Sequence, residues 1–146
     1  MKLVIDKNSI SKRRSKVTGR IAFQEGDYQF PEPNYSDFVF TLVVEFSEKV
    51  SKMLRGNSSK EELLFMEGPY QVDITKEGDS FKVQFKEEFR NWVVQREKIL
   101  CKNELFDEWR NALETCIEVA SNSDWGSEYL DDLKYVKSVL EQAFKS

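Results

Sequence analysis

The chain of 146 residues contains no histidine and only two cysteines, Cys101 and Cys116. Without histidine no side chain has an ordinary pKa near neutrality, so Ser-His-Asp triads, Cys-His pairs and histidine metal sites are excluded. Two cysteines cannot supply a four-ligand zinc site, and their spacing is not that of a CxxC pair. We expect both thiols to be reduced and structural, and the chain to be neither an enzyme nor the holder of a metal or cofactor.

Glycine and proline are scarce, and long apolar runs are missing. The 6 glycines and 3 prolines exclude collagen-like and linker sequences. None of the glycines stands in a GxGxxG or GxxxxGKS/T phosphate-binding motif. No stretch approaches the roughly 20 apolar residues of a membrane span, and Leu3–Ile5 is too short for a secretory signal. We therefore expect a cytoplasmic protein that does not contact a membrane.

The composition that remains is globular. Hydrophobic residues make up 40% of the chain and aromatic residues 13%. Each aromatic side chain can bury roughly 150–250 Å², so these residues can fill much of a core. The length suits one hydrophobic core, which predicts a single domain over residues 1–146.

The beginning of the chain predicts a hairpin. Leu3–Asp6 and Val17–Gln24 have the composition of strands, and the polar stretch between them, which holds a basic cluster, is predicted to be the loop. Tyr28–Phe30 predicts a further short extended segment. Two prolines then exclude regular structure until about Tyr35.

The segment Phe38–Phe46 has two interpretations. Its β-branched and aromatic residues are typical of a buried strand, which would be followed by a short helix at Ser47. Alternatively, Ser36 or Asp37 caps a long helix that ends at Arg55-Gly56. We favour the long helix because an apolar stripe with helical spacing runs unbroken through Val39, Val43, Phe46, Val50, Met53 and Leu54.

Strands and then helices are predicted for the rest of the chain. Turn residues separate three antiparallel strands, Glu62–Met66, Tyr70–Thr75 and Ser80–Lys86. Asn91–Ile99 either extends this sheet or is helical. Asn103 is the predicted cap of a helix that buries Leu105, Phe106, Trp109, Ala112, Leu113, Cys116, Ile117 and Ala120. Ser127 is the predicted cap of a last helix that buries Leu130, Leu133, Val136, Leu140 and Phe144.

This order of elements predicts the α+β class. Short hairpin turns favour antiparallel pairing, because parallel strands need long crossover connections. We therefore expect a mainly antiparallel sheet with one central helix and two C-terminal helices packed on it.

Charge is distributed unevenly around a net value of −4. Residues 1–20 hold seven basic side chains against Asp6 alone, and residues 103–132 hold nine acids against Arg110 alone. The acidic tract, with Trp125 and Tyr129 in the turn between its helices, either binds a cationic partner or is the solvated face of two helices. Trp125 either anchors a partner or packs under the turn. The candidate partner-binding residues are Glu104, Asp107, Glu108, Glu114, Glu118, Asp124, Trp125, Glu128, Tyr129, Asp131 and Asp132.

Two other functions stay open. The basic run Lys12–Lys16 could contact phosphate, although a pI of about 5.1 and the lack of a nucleic-acid-binding motif disfavour it. A small-ligand pocket between sheet and helices would be lined by Tyr28, Tyr70 and Trp92.

Several short motifs carry a resemblance. They are Tyr35-Ser36-Asp37-Phe38-Val39, the helix through Phe46 to Leu54, Phe65-Met66-Glu67-Gly68-Pro69-Tyr70, and Trp125-Gly126-Ser127. In these the chain resembles small bacterial immunity proteins of polymorphic toxin and contact-dependent inhibition systems. The motifs are a cap, a turn and a strand entry, so no functional residue is transferred through them. The resemblance implies a cytoplasmic inhibitor that protects a bacterium against a toxin domain delivered by its neighbours.

This implication agrees with the charge pattern. A toxin that cuts nucleic acid needs a basic cleft, which an acidic protein can bind by direct contact. We therefore expect a binding protein whose partner is a cognate toxin domain, bound through the acidic tract. The alternative is a small-ligand-binding or nucleic-acid-binding domain of a bacterial protein, and the oligomeric state stays open.

Overall fold

The chain folds into two four-stranded antiparallel sheets and three helices. The computed structural model describes residues 1–146. The strands are β1 (Lys2–Arg13), β2 (Lys16–Glu25), β3 (Tyr28–Phe30), β4 (Ser36–Asp37), β5 (Lys60–Leu64), β6 (Tyr70–Glu77), β7 (Ser80–Glu88) and β8 (Trp92–Cys101), and the helices are α1 (Val39–Leu54), α2 (Lys102–Ser121) and α3 (Ser127–Lys145). The predicted α+β class is confirmed, with its one middle helix and two C-terminal helices.

The first sheet has the order β1-β2-β3, and β4 also pairs with β2. The basic cluster was predicted to lie in a loop, but the strands continue through it, with Arg13 paired to Lys16. The tight turn is Arg14-Ser15, in which Arg14 has a φ of 58°. The pairing survives because the extra residues of β1 are absorbed earlier, by a register shift between Asp6 and Ser11.

The second sheet is the meander β5-β6-β7-β8. Its first strand, β5, begins and ends two residues before the predicted strand Glu62–Met66. The strand ends early because the backbone N–H of Met66 donates to the Asp37 carboxylate. The strand interpretation of Asn91–Ile99 is correct, since these residues lie largely in β8. β8 is an edge strand, and its register against β7 shifts opposite Gln95.

The helices bury the predicted faces, but they begin at other residues than predicted. α1 includes most of the ambiguous segment and starts after Phe38, so neither Ser36 nor Asp37 is its cap. α2 starts after Cys101, whose backbone N–H bonds the Glu104 carboxylate, and not after Asn103.

The last helix begins one residue earlier than expected. Gly126 is the residue before α3, and Ser127 is its first helical residue. Of the residues predicted to be buried by α2 and α3, Ile117, Leu130 and Phe144 are half-buried and the others are buried. None of the three helices is long and apolar enough to cross a membrane.

Aromatic rings join the two sheets to the helices. Phe85 of the second sheet lies 5.1 Å from Phe30 and 5.3 Å from Phe23 of the first, between ring centroids. Phe46 of α1 meets Trp109 of α2 edge-on at 5.9 Å. Such pairs add about 0.5–1.5 kcal/mol each beyond the area that they bury. The core therefore draws on both sheets and on all three helices, with α3 contributing Leu133, Val136, Leu140 and Ala143.

A buried carboxylate connects the start of α1 to the second sheet. Asp37 is 0% exposed. It accepts the backbone N–H groups of Phe38 at 2.6 Å, Met66 at 3.0 Å and Glu67 at 3.1 Å. It also accepts the Tyr35 hydroxyl, whose pKa is raised by burial and by this bond. Asp37 thus fixes the loop after β5 against the segment before α1.

Replacing Asp37 tests this connection. Asp37→Ala leaves the Tyr35 hydroxyl and two loop N–H groups without their acceptor, and we expect a loss of about 3 kcal/mol in the free energy of unfolding. Tyr35→Phe removes one hydroxyl donor only and should cost about 1 kcal/mol. Urea unfolding followed by tryptophan fluorescence measures both, and equal losses in the two variants would contradict the assigned role.

Gly126 offers a second test, because a Cβ there would lie 1.8 Å from the carbonyl oxygen of Ala120. Gly126→Ala must push the start of α3 away from the end of α2, which we expect to cost about 2 kcal/mol and to lower the Tm by roughly 6 °C. Ser127→Ala, an exposed neighbour, is the matched control and should leave the Tm unchanged. An unchanged Tm in Gly126→Ala would show that the turn is not closely packed.

Candidate functional site

The acidic tract forms three groups in the structure. Its first residues lie on α2, Asp124 and Trp125 lie in the turn after α2, and the last residues lie in the first two turns of α3. All nine acids are partly or fully exposed. The structure therefore does not bring the whole tract together as one patch, and the contacts of each group decide which acids are available to a partner.

The acids at the start of α2 are used within the chain. Glu104 accepts the Cys101 N–H at 3.1 Å, and Glu108 accepts the N–H of Leu3 at 2.7 Å. The bond to the Cys101 backbone lowers the pKa of Glu104. These two carboxylates therefore hold the helix start and the first strand.

Arg110 and Lys137 neutralise two more acids of α2. Arg110 lies 3.6 Å from Asp107 and 3.8 Å from Glu114, and Lys137 of α3 lies 3.6 Å from Glu114. Because all these groups are exposed, each pair contributes little stability. They nevertheless reduce the negative charge that α2 presents.

The basic first strand pairs with two further acids. Lys7 lies 3.4 Å from Glu118, and Lys12 lies 2.9 Å from Glu128. The hydrogen bond between Lys12 and Glu128 raises the pKa of the lysine and lowers that of the carboxyl. The opposite charges of the two chain regions thus meet along β1 and partly cancel.

Three acids of the tract take part in neither an ion pair nor a side-chain hydrogen bond of the structure: Asp124, Asp131 and Asp132. All three are exposed and lie in the turn before α3 or near the start of that helix. Acidic side chains near a helix N-terminus are favoured by the helix dipole, which accounts for part of their placement. They are the acids that an incoming cation would meet without competition.

Trp125 and Tyr129 form an aromatic cluster with Phe40 of α1. The ring centroids lie 6.1 Å apart for Phe40 and Trp125, 5.4 Å for Phe40 and Tyr129, and 6.0 Å for Trp125 and Tyr129. Both tract aromatics stay half-exposed. Burial and the nearby Glu128 raise the pKa of Tyr129. Trp125 thus packs at the turn and still presents part of its ring to solvent.

A groove of about 330 Å³ lies between α1 and α3 beside this cluster. We call it the acidic groove, because Glu45 and Asp132 line it around apolar side chains. The apolar residues of the acidic groove are Phe40, Val44, Tyr129 and Leu133. An apolar and aromatic surface with charged residues at its edge is the usual composition of a protein-binding site.

Sequence reasoning missed the contribution of α1 to this groove. Phe40, Val44 and Glu45 were outside the candidate list because α1 is distant from the tract along the chain. A signal was present in the polar residues Thr41 and Glu45, which recur at helical spacing on the exposed side of α1. That pattern marks an open face, although it does not show which helix lies beside it.

The other candidate residues have separate surroundings. Tyr28 lies under the Arg96 guanidinium at 4.2 Å, and Tyr70 donates its hydroxyl to Glu32 at 3.1 Å. Burial, followed by the Glu32 bond, raises the pKa of Tyr70 to about 12. Trp92 stands at the start of β8. The two tyrosines therefore pack into the aromatic core and do not face each other across a pocket.

The basic run is also partly used. Lys12 pairs with Glu128, and Lys16 lies 5.6 Å from the ring centroid of Phe38. Arg13 and Arg14 remain exposed at the hairpin tip. Their two guanidinium groups make a small cationic surface.

Buried carboxylates have structural partners. Asp73 is 1% exposed and accepts Gln71 and Lys86 on the outer face of the second sheet. No group of three or more cysteines, aspartates or glutamates is arranged to hold a metal ion. Asp73, like Asp37, is held by donors of the chain itself.

No protein family, curated protein or solved structure matches the chain in the three comparisons. The candidate site is therefore argued from geometry. It consists of the acidic groove, the half-exposed Trp125 and two further unpaired acids. These acids are Asp124, in the turn before α3, and Asp131, near the start of that helix.

The two cysteines differ in a way that labelling can measure. Cys116 is buried, which raises the pKa of its thiol to about 12, whereas Cys101 is exposed. Because the thiolate is the reactive form, iodoacetamide at pH 8 should modify Cys101 alone in the native chain and both thiols in denaturant. Mass spectrometry counts the adducts, and Cys101→Ser should abolish the native-state adduct. Rapid native labelling of both thiols would refute the assignment of Cys116 to a tightly packed core.

Proposed function

We propose that this chain is a binding protein, an immunity protein that neutralises a cognate bacterial toxin by direct contact. The toxin is of the basic, nuclease type, and the acidic groove receives one of its cationic surfaces. The observation that carries the proposal is the coincidence, between α1 and α3, of an apolar groove, a half-exposed aromatic cluster and unpaired acids.

The physical reason lies in how such partners find each other. Nucleases need basic clefts because their substrates carry one negative charge on each phosphate. Acidic side chains on an inhibitor attract that cleft over long distances and can raise the association rate by 10-fold to about 1,000-fold. Aromatic anchors then slow dissociation by burying area in the complex.

Within this proposal the members of the acidic tract have two roles. Asp131 and Asp132 contact the partner, with Trp125 and Tyr129 as anchors. The ion-paired acids, Glu118 among them, keep their lysine or arginine partners and add little to the long-range attraction. This division follows from the ion pairs, since breaking one on binding would cost part of the attraction gained.

Site-specific cross-linking identifies the partner. A photoreactive phenylalanine analogue replaces Thr41, an exposed residue on the groove, in cells that make both this chain and its native partner. The protein that becomes cross-linked to the chain is then identified by mass spectrometry. We expect a basic toxin domain, and co-expression of the chain should restore the growth of cells that produce it. A cross-linked protein that is not toxic, or toxicity that the chain does not relieve, would refute the proposal.

Charge reversal then tests the contact surface. With the purified toxin domain, the double variant Asp131→Lys/Asp132→Lys should associate at least about tenfold more slowly at low salt, and the difference should shrink at high salt. Asp27→Lys/Glu88→Lys changes the net charge equally at two exposed positions that do not line the acidic groove, and serves as the control. Equal rates and equal salt dependence in the two double variants would exclude the acidic groove as the contact surface.

A further inference from the structure

α1 and α3 lie side by side and run in the same direction. Phe40 near the start of α1 contacts Tyr129 near the start of α3. Further along, Lys52 of α1 and Arg55, which directly follows the helix, share a second groove with Val136 of α3. The acidic groove is therefore one end of a longer seam between two parallel helices.

The second groove is apolar on its α3 side and polar on its α1 side, where Glu48, Ser51 and Lys52 line it. It has a volume of about 260 Å³ and is lined by Val136 and Val139. Tyr135 also lines it and is 66% exposed, which is unusual for so large an apolar ring. An exposed aromatic over a valine-lined groove is the kind of residue that anchors a partner.

The charge along the seam changes sign from one end to the other. The exposed residues that line the two grooves on α1 and at its C-terminal end are, in order, Thr41, Glu45, Glu48, Lys52 and Arg55. Glu45 has a weak contact with Lys49 at 3.8 Å, while Glu48, Lys52 and Arg55 take part in no ion pair of the structure. The seam is thus acidic where α1 and α3 begin and basic where α1 ends.

The shape of the seam selects a helical occupant. From Thr41 to Arg55 it extends about 21 Å at 1.5 Å per residue, which is about four helical turns. A helix satisfies its own backbone groups, whereas an extended segment would lay unpaired N–H and C=O groups on apolar side chains. A third helix also packs naturally into the valley between two neighbouring helices.

The charges and dipoles select its direction. A helix antiparallel to α1 and α3 places its dipole favourably beside theirs. Its first turns then lie against Lys52 and Arg55, and its last turns lie against Glu45 and Asp132. Acids in the first turns and bases in the last turns suit both the helix itself and this surface.

We propose that the α1–α3 seam binds an amphipathic helix of a partner protein, antiparallel to α1, with acidic residues in its first turns and basic residues in its last turns. The inference deepens the proposed function, on which it rests for the identity of the partner as the toxin. The helix covers both grooves, and Tyr135 and Tyr129 pack against the two ends of its apolar stripe.

Two designed peptides test the charge order. Both have 15 residues, a leucine stripe and the same composition, but one carries glutamates first and lysines last and the other the reverse. A hydrocarbon staple on the solvent side equalises their helicity, which circular dichroism checks. Fluorescence anisotropy of labelled peptides should give roughly tenfold tighter binding for the glutamate-first peptide. Equal affinities, or binding of neither peptide, would overturn the inference.

Charge reversal locates the binding on the seam. Lys52→Glu/Arg55→Glu should weaken the binding of the glutamate-first peptide by roughly tenfold. Lys2→Glu/Arg90→Glu makes the same change in charge at exposed positions of β1 and of the turn between β7 and β8, and should have no effect. A glutamate-first peptide that binds both double variants equally would show that it does not occupy the seam.

The two proposals fail separately. If the peptides discriminate as expected while Asp131→Lys/Asp132→Lys leaves toxin association unchanged, the seam is a helix-binding site and the toxin is not its partner. If toxin association depends on the acidic groove while the peptides do not discriminate, the helical occupant is wrong and the proposed function stands.

Discussion

The carboxylate of Asp37 is the constraint on which the arrangement of the two sheets depends. It has no exposure, yet a hydroxyl and three backbone N–H groups surround it. A buried anion is tolerated only when donors replace its water shell, so the loop at Met66 and Glu67 must stay where its N–H groups reach the carboxylate. That loop holds Phe65 within the aromatic core, 5.6 Å from the ring of Phe46. These hydrogen bonds to Asp37 fix the start of α1 to the loop after β5, and with it one side of the groove beside α3.

Patterns within single elements made most of the fold predictable. The apolar stripe from Val39 to Leu54 identified α1 as a helix because a stripe of helical spacing has no equivalent in a strand. Helix starts were less predictable, since Cys101 and Gly126 replace the usual capping residues, and Asp37 is engaged elsewhere. The pairing of β1 with β2 through the basic run depends on a register shift between Asp6 and Ser11, which no local sequence pattern predicts. The division of the strands between two sheets is set by long-range packing of aromatic rings.

The candidate site was predictable in part. Composition alone located the acidic tract and its two aromatics, because clustered charge is visible along a chain. Which acids are free depends on residues more than 100 positions away, such as Lys7 opposite Glu118 and Lys12 opposite Glu128. The contribution of Phe40 and Glu45 depends likewise on the packing of α1 beside α3, which no spacing in the sequence encodes. The candidate site in the structure is therefore smaller than the charged tract, and it includes residues of α1 that the tract did not.

The irregular edge strand β8 has a consequence for how the protein behaves at high concentration. Val93, Val94 and Ile99 are exposed along it, and an uninterrupted margin of this kind would template fibril growth. The extra residue Gln95 divides the strand into Trp92–Val94 and Arg96–Cys101. An added chain could not keep one continuous hydrogen-bonding register along both pieces. Arg96, Glu97 and Lys98 put charge into the longer piece. The interruption and these charges therefore disfavour the addition of another chain along the β8 edge.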